Sequence, residues 1–118
     1  MPQVTHVEWP AEDADRLQSF LEGVFGWEFG SPMEGMDYRM ARTGENEGAA
    51  VFPAEQRGLM VYYDVDDIDA HVGKVRHSGG EADDKMPVPS MGWFATCTDP
   101  HGNEFGLWQN DTSARMPE

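Results

Sequence analysis

The chain has little cysteine, few basic residues and no long apolar run, and each shortage narrows what it can be. Cys97 is the single cysteine in 118 residues, so no disulfide can close within the chain and a reducing, cytoplasmic setting is expected. Lysine and arginine together number 8 against 22 aspartates and glutamates, a formal net charge of −14. Lys74 and Lys85 are the only lysines. A surface of that sign repels nucleic acid and anionic membranes, so neither is expected as a partner. No apolar stretch is long enough to span a bilayer. The opening Met1-Pro2-Gln3-Val4-Thr5-His6 is not a basic region ahead of an apolar one, so no secretory signal is expected. A Gly-rich phosphate loop, a G-x-S-x-G elbow and an H-E-x-x-H motif are also missing. Asp64, Asp66, Asp67 and Asp69 lack the mid-loop glycine and terminal glutamate of a calcium loop.

What is present suits a folded domain. Hydrophobic residues make up 39% of the chain, enough for a core, and the length fits one domain over residues 1–118. The acidic coat reads either as plain solubility or as a surface kept hydrated at high salt.

An internal repeat organises the chain. A shift of 54 positions sets Asp13-Ala14-Asp15 on Asp67-Ile68-Asp69 and Gly26-Trp27-Glu28 on Gly80-Glu81-Ala82. Each half opens with a strand (Val4 to Trp9, Leu59 to Asp64) and enters a helix through acidic residues suited to its first turn. Leu17, Phe20, Leu21 and Val24 predict the buried stripe of the first helix, and Ile68, Val72 and Val75 that of the second. Gly26 and Gly79-Gly80 stand where the helices stop. Three strands follow each helix: about Trp27–Gly30, Asp37–Arg42 and Gly48–Phe52, then about Glu81–Pro87, Gly92–Cys97 and Asn103–Gln109. Thr43-Gly44-Glu45-Asn46 and Pro87-Val88-Pro89-Ser90 read as connections. The order is βαβββ twice, in modules of about 1–54 and 55–112, an α+β class.

Strand alternation sorts the side chains. His6 and Glu8 fall opposite Val7 and Trp9. Met60 and Tyr62 fall opposite Leu59, Val61 and Tyr63. Ala50 and Phe52 leave Val51 behind, and Gly106 and Trp108 leave Phe105 and Leu107 on the core side. Phe52, Tyr62, Trp93 and Trp108 can line an apolar pocket, with Met33, Met36, Met40 and Met60 to make it adaptable, while Trp27, Phe29, Phe94 and Phe105 read as core. Tyr38 and Tyr62 add donatable protons. His71 and His77 sit on the second helix and His101 in a turn, all read as surface residues. Cys97 reads as a small buried hydrophobe.

The last strand is the most telling segment: Asp99-Pro100-His101-Gly102-Asn103-Glu104-Phe105-Gly106-Leu107-Trp108-Gln109. Asp-Pro-x-Gly is a tight turn, and an alternating strand follows it. This segment, with Glu8 to Asp13 and Val24 to Phe29, resembles the vicinal oxygen chelate superfamily, which includes glyoxalase I, bleomycin resistance proteins and extradiol dioxygenases. The resemblance covers nearly the whole chain. It implies a curved mixed sheet around a cleft, helices on the outer face, and assembly as a homodimer.

In the metal-dependent members, four equivalent strand positions supply His and Glu ligands. The resemblance puts these at His6, near Phe52, at Met60 and at Gly106. Only His6 carries a ligand for a hard divalent ion, and a catalytic site needs about three. No cofactor is therefore expected, with His6 the one weak metal candidate and a divalent metal left as the alternative. The reading is a metal-free protein that binds a small, partly apolar molecule in a cleft of His6, Glu8, Phe52, Met60, Tyr62, Gly106 and Trp108. The rival is a metal-dependent lyase, isomerase or dioxygenase holding its ion through His6, Glu8 and one further residue.

Overall fold

A computed structural model of the chain describes residues 2–31, 34–55 and 58–116. Among them are eight strands and two helices: β1 (Gln3–Ala11), α1 (Ala14–Phe25), β2 (Arg39–Arg42), β3 (Gly48–Pro53), β4 (Met60–Asp64), α2 (Ile68–His77), β5 (Glu81–Ala82), β6 (Met86–Val88), β7 (Gly92–Thr98) and β8 (Glu104–Asn110). Parallel and antiparallel pairs both occur, so the architecture is mixed and α+β. The chain divides into two compact units, one from His6 to Met60 and one from Val61 onward, which also takes in the residues up to Thr5.

In the first unit β3 is central, parallel to β1 and antiparallel to β2. The helix α1 starts where the Asp13 carboxylate accepts from the Arg16 backbone N–H at 3.0 Å. It ends at Gly26, whose φ of 73° is the left-handed cap that glycine adopts without a steric penalty. Ala14 and Leu21 of α1 are buried with Val51 of β3, and Trp9, Leu17, Trp27 and Phe29 pack around them. Burying a side chain such as Leu21 contributes about 1.5–3 kcal/mol.

Two expectations change here. Phe20 and Val24 are 60% and 56% exposed. The core-facing line runs instead through Ala14, Leu17 and Leu21, at i, i+3 and i+7. The expected strand at Trp27–Gly30 shrinks to a single bridge between Gly30 and Met40. Trp27 and Phe29 turn into the α1 core instead, and Trp27 stacks on Phe25 at 4.7 Å between ring centroids.

In the second unit β8 runs parallel to β4 and antiparallel to β7, and β5 and β6 both pair with β7. Asp67 caps α2 by accepting from Ala70 N–H at 3.1 Å. Ile68 and Val72 of α2 are buried with Val65, Ala95, Cys97 and Leu107, and Val75, Ala82, Trp93 and Phe105 pack against them. Cys97 is 1% exposed, and burial pushes its thiol pKa up. The expected strand Glu81–Pro87 is two short strands, β5 and β6. Pro87 and Val88, expected in a connection, lie in β6; proline is tolerated there because β6 pairs on one side only, with β7. Leu59 lies just before β4 and is 53% exposed, not core.

The turn between β7 and β8 is self-contained. Gly102 has φ of 87° and its N–H bonds to the Asp99 carbonyl at 3.0 Å. The Asp99 carboxylate accepts from the backbone N–H of His101 (2.8 Å) and of Asn103 (3.0 Å), and from the Asn103 side-chain amide (3.0 Å). Those bonds, that of the Asn103 side chain first, hold Asp99 below the ordinary carboxylate range.

The repeat is real at the level of topology. The two N-caps, Asp13 and Asp67, are 54 positions apart. The run β2, β3, β1 has its counterpart in β7, β8, β4. Register differs, however. Phe52 pairs with Pro10, whereas its repeat image Gly106 pairs with Tyr62 instead of Asp64. A slide of two residues keeps every side chain on its own face. Among the described residues no helix is long and apolar enough to cross a membrane.

Candidate functional site

In the first unit α1 covers one face of the sheet, and the other face collects the polar residues. Along the central strand β3 that second face carries Gly48, Ala50 and Phe52, of which the first two are small. Their smallness has a consequence: Tyr38, just ahead of the edge strand β2, reaches over β3 to β1 on the far side. Its hydroxyl donates to Glu8 Oε2 at 2.6 Å. The same oxygen lies 2.8 Å from His6 Nε2. With the phenol proton committed to Glu8, the imidazole is assigned the tautomer that donates from Nε2. A Cβ at Gly48 would stand 3.3 Å from His6 Nδ1, tighter than ordinary contact.

Glu8, Tyr38 and His6 thus form a continuous hydrogen-bonded row, backed by Phe52, whose ring centroid lies 6.0 Å from that of Tyr38. All four are half-buried. Burial pushes the His6 pKa down to about 4, so the ring is uncharged at neutral pH. The O–H···O⁻ bond from Tyr38 to Glu8 is of the short, charge-assisted kind. The row can accept or donate hydrogen bonds to a small ligand and offers an aromatic wall beside them.

The other residues singled out in the sequence are Met60, the last residue of the first unit, and Tyr62, Gly106 and Trp108 of the second. Met60 and Tyr62 are each 8% exposed at the start of β4. Tyr62 pairs with Gly106, and its ring lies over the Gly106 Cα. Trp108 and Phe94 are cross-strand partners on the face away from α2, and the Trp108 ring lies close to Gly92. Phe94, read as core, therefore shares the Trp108 face. Trp93, read as a pocket residue, points the other way, into the α2 core. Its Nε1–H donates to Asp111 at 3.0 Å, and Lys85 Nζ sits 4.5 Å from its ring centroid. One residue of strand register accounts for both corrections.

Other candidates disperse. His71 and His77 lie on α2 and His101 in the turn; His71 Nδ1 is 3.1 Å from the Asp67 carbonyl oxygen. Met36 is 58% exposed, and Met33 lies outside the described residues. An open hollow of about 360 Å³ is lined by Val61, Tyr63, Asp99, Asn103, Glu104 and Phe105. None of the residues singled out as a candidate site borders it.

The side chains at the four strand positions that the resemblance implies for ligands are a poor donor set for a divalent ion. His6 alone has a donor side chain, and its Nε2 is engaged by Tyr38. Phe52 presents a ring, Met60 a thioether, and Gly106 a backbone covered by Tyr62. Hard divalent ions take oxygen and nitrogen donors. Among the described residues no group of three or more His, Cys, Asp or Glu is placed to hold a metal.

Comparison with known proteins agrees with this fold. A member of the glyoxalase/bleomycin resistance protein/dioxygenase superfamily from Vibrio splendidus 12B01 superposes with a TM-score of 0.70 at 18% identity, covering 93% of this chain and 100% of that one. Methylmalonyl-CoA epimerase from Mycobacterium tuberculosis superposes with a TM-score of 0.68 at 14% identity, covering 92% and 87%. At such identities the likeness is one of fold. Residues 5–108 match the family model of the glyoxalase-like domain, and the chain belongs to that family, within the vicinal oxygen chelate superfamily. In sequence it is 33% identical over 101 residues to CFP32 of Mycobacterium tuberculosis, a protein named as a candidate glyoxylase. That match spans 79% of this chain and 38% of the relative's length.

Proposed function

We propose that this chain binds a small, partly apolar molecule on the Glu8–Tyr38–His6 row of its first unit, without a divalent metal. Phe52 serves as the apolar wall, and the three polar side chains orient the ligand. The observation that carries the reading is the Tyr38 hydroxyl, which ties Glu8 and His6 together at 2.6 and 2.8 Å. It spends the His6 nitrogen on a phenol and leaves a pre-organised polar group beside an aromatic ring. Sites of this composition, apolar walls with a few convergent polar groups, are what small ligands use. Glu8 and the net charge of −14 favour a neutral or cationic ligand over a polyanion. Assembly as a homodimer belongs to the same reading.

The test is calorimetric titration of untagged protein with benzylamine, phenol and benzoate, alongside Ni²⁺, Zn²⁺, Mn²⁺ and Fe²⁺. Binding of the cationic or neutral aromatic probe, weakened in Tyr38→Phe and unchanged by chelator, supports the reading. Stoichiometric metal uptake that disappears in His6→Ala overturns it in favour of a metal-dependent enzyme.

A further inference from the structure

The resemblance implies Gly106 as the fourth ligand position, and in this chain that position is more than a missing side chain. A Cβ built on Gly106 would lie 2.3 Å from both Tyr62 Cδ2 and Tyr62 Cε2, and 2.9 Å from Tyr62 Cγ. Real Cβ contacts essentially never fall below 3.0 Å. The obstruction is steric: Gly106 is not among the residues with positive φ, so its backbone would accept any side chain. Tyr62 and Gly106 are direct partners across the parallel pair β4–β8, and the ring, 8% exposed, shields the bare glycine backbone. Aromatic rings laid over glycines are a known way of securing strands. Gly92 differs: a Cβ there would meet the Gln109 carbonyl oxygen at 2.3 Å as well as the Trp108 ring at 2.5 Å, whereas at Gly106 the three nearest atoms all belong to the Tyr62 ring.

We infer that the Tyr62 ring fills the volume in which a fourth metal ligand would stand, so that Tyr62 and Gly106 form a coupled pair and no donor side chain fits at 106 while Tyr62 is in place. Departure from chelate chemistry is then built into two strands together. A single substitution at 106 cannot restore a ligand; it must be accompanied by removal of the ring. The inference depends on packing alone and stands or falls separately from the identity of any small ligand.

A double-mutant cycle tests it. Gly106→Ala, Tyr62→Val and the double variant are compared by urea unfolding, with trimethylamine oxide present throughout to keep weak variants folded. Gly106→Ala is expected to lower the urea midpoint by roughly 1 M or more in the parent, and by less than half as much when Tyr62→Val is also present. An alanine at 106 that folds only together with Tyr62→Val gives the same support. Equal losses in both backgrounds overturn the inference. Calorimetry with Ni²⁺ gives a second reading. Gly106→Glu alone is expected to show no gain in affinity, and tighter Ni²⁺ binding by that single variant also overturns the inference.

Discussion

Tyr38 and Glu8 meet across 2.6 Å although 30 positions separate them, and the reach is open because β3, lying between β2 and β1, presents Gly48 and Ala50 there. Tyr38→Phe removes the hydroxyl and leaves the ring against Phe52. Hydrogen bonds to charged groups are worth about 1.5–3 kcal/mol, and this one is half-buried. The variant should therefore lose about 1–2 kcal/mol of stability by urea titration, and at least about tenfold in affinity for any bound aromatic probe, the equivalent of about 1.4 kcal/mol. Full retention of binding would remove Tyr38 from the site.

His6 gives a pH signature. Its pKa is about 4 in the folded chain against an ordinary 6.5. Between those values the unfolded chain binds a proton that the folded chain refuses, so stability rises with pH across the window. The His6 contribution is complete above pH 6.5 and is lost as pH falls toward 4, to the extent of about 3 kcal/mol. His6→Gln keeps a donor for Tyr38 but does not titrate, and its stability should be flatter over that range. Asp99 and Asp111, also held low by hydrogen bonds, lose their contributions only below the ordinary carboxylate value. The two effects separate along the pH axis.

The orientation of α1 is testable by a contrast of neighbours. Leu21 is 0% exposed and Phe20 60%. Leu21→Ala should cost about 2–5 kcal/mol. Phe20→Ser should stay within about 0.5 kcal/mol of the parent. Comparable losses at both positions would return Phe20 to the buried stripe.

Salt should stabilise this protein. With a net charge of −14 self-repulsion opposes the compact state, and the Debye length shrinks from about 30 Å at 0.01 M to about 3 Å at 1 M. Thermal unfolding in sodium chloride should show a Tm that climbs over that range and levels off. A flat profile would mean that local ion pairs such as Arg39–Asp15 and Lys85–Asp69 already offset the repulsion.

Much of the fold was legible because its signals are local. Asp13 and Asp67 cap their helices as their spacing implied, and the Asp99–Gly102 turn forms where Asp-Pro-x-Gly places it. The failures came where tertiary packing overrides local pattern. Trp27 and Phe29 read as a strand, yet core burial claims both rings. Phe20 and Leu21 are equally apolar, and the flank of α1 that goes down is set by its packing on Val51 and the rings of Trp9, Trp27 and Phe29 rather than by local pattern. Trp93 and Phe94 exchanged faces because alternation alone does not fix which residue begins it. That His6, Glu8 and Phe52 share one face of the sheet followed from alternation. Tyr38 was visible only as a residue with a donatable proton, since its reach across β3 depends on the size of residues in another strand. That Tyr62 covers Gly106 was beyond sequence reasoning, because it depends on a two-residue slide in strand pairing.

The closed turn at Asp99–Asn103 bears on the order in which the chain assembles. It joins β7 and β8 with hydrogen bonds drawn almost entirely from its own five residues. The parallel pairs β1–β3 and β4–β8 must instead close loops of more than forty residues. Chain entropy favours the short closure. The β7–β8 hairpin is therefore expected to become protected first in pulse-labelled hydrogen exchange, giving β4 an edge on which to dock. The segment that marks the family in sequence would then also be where the second unit begins to fold.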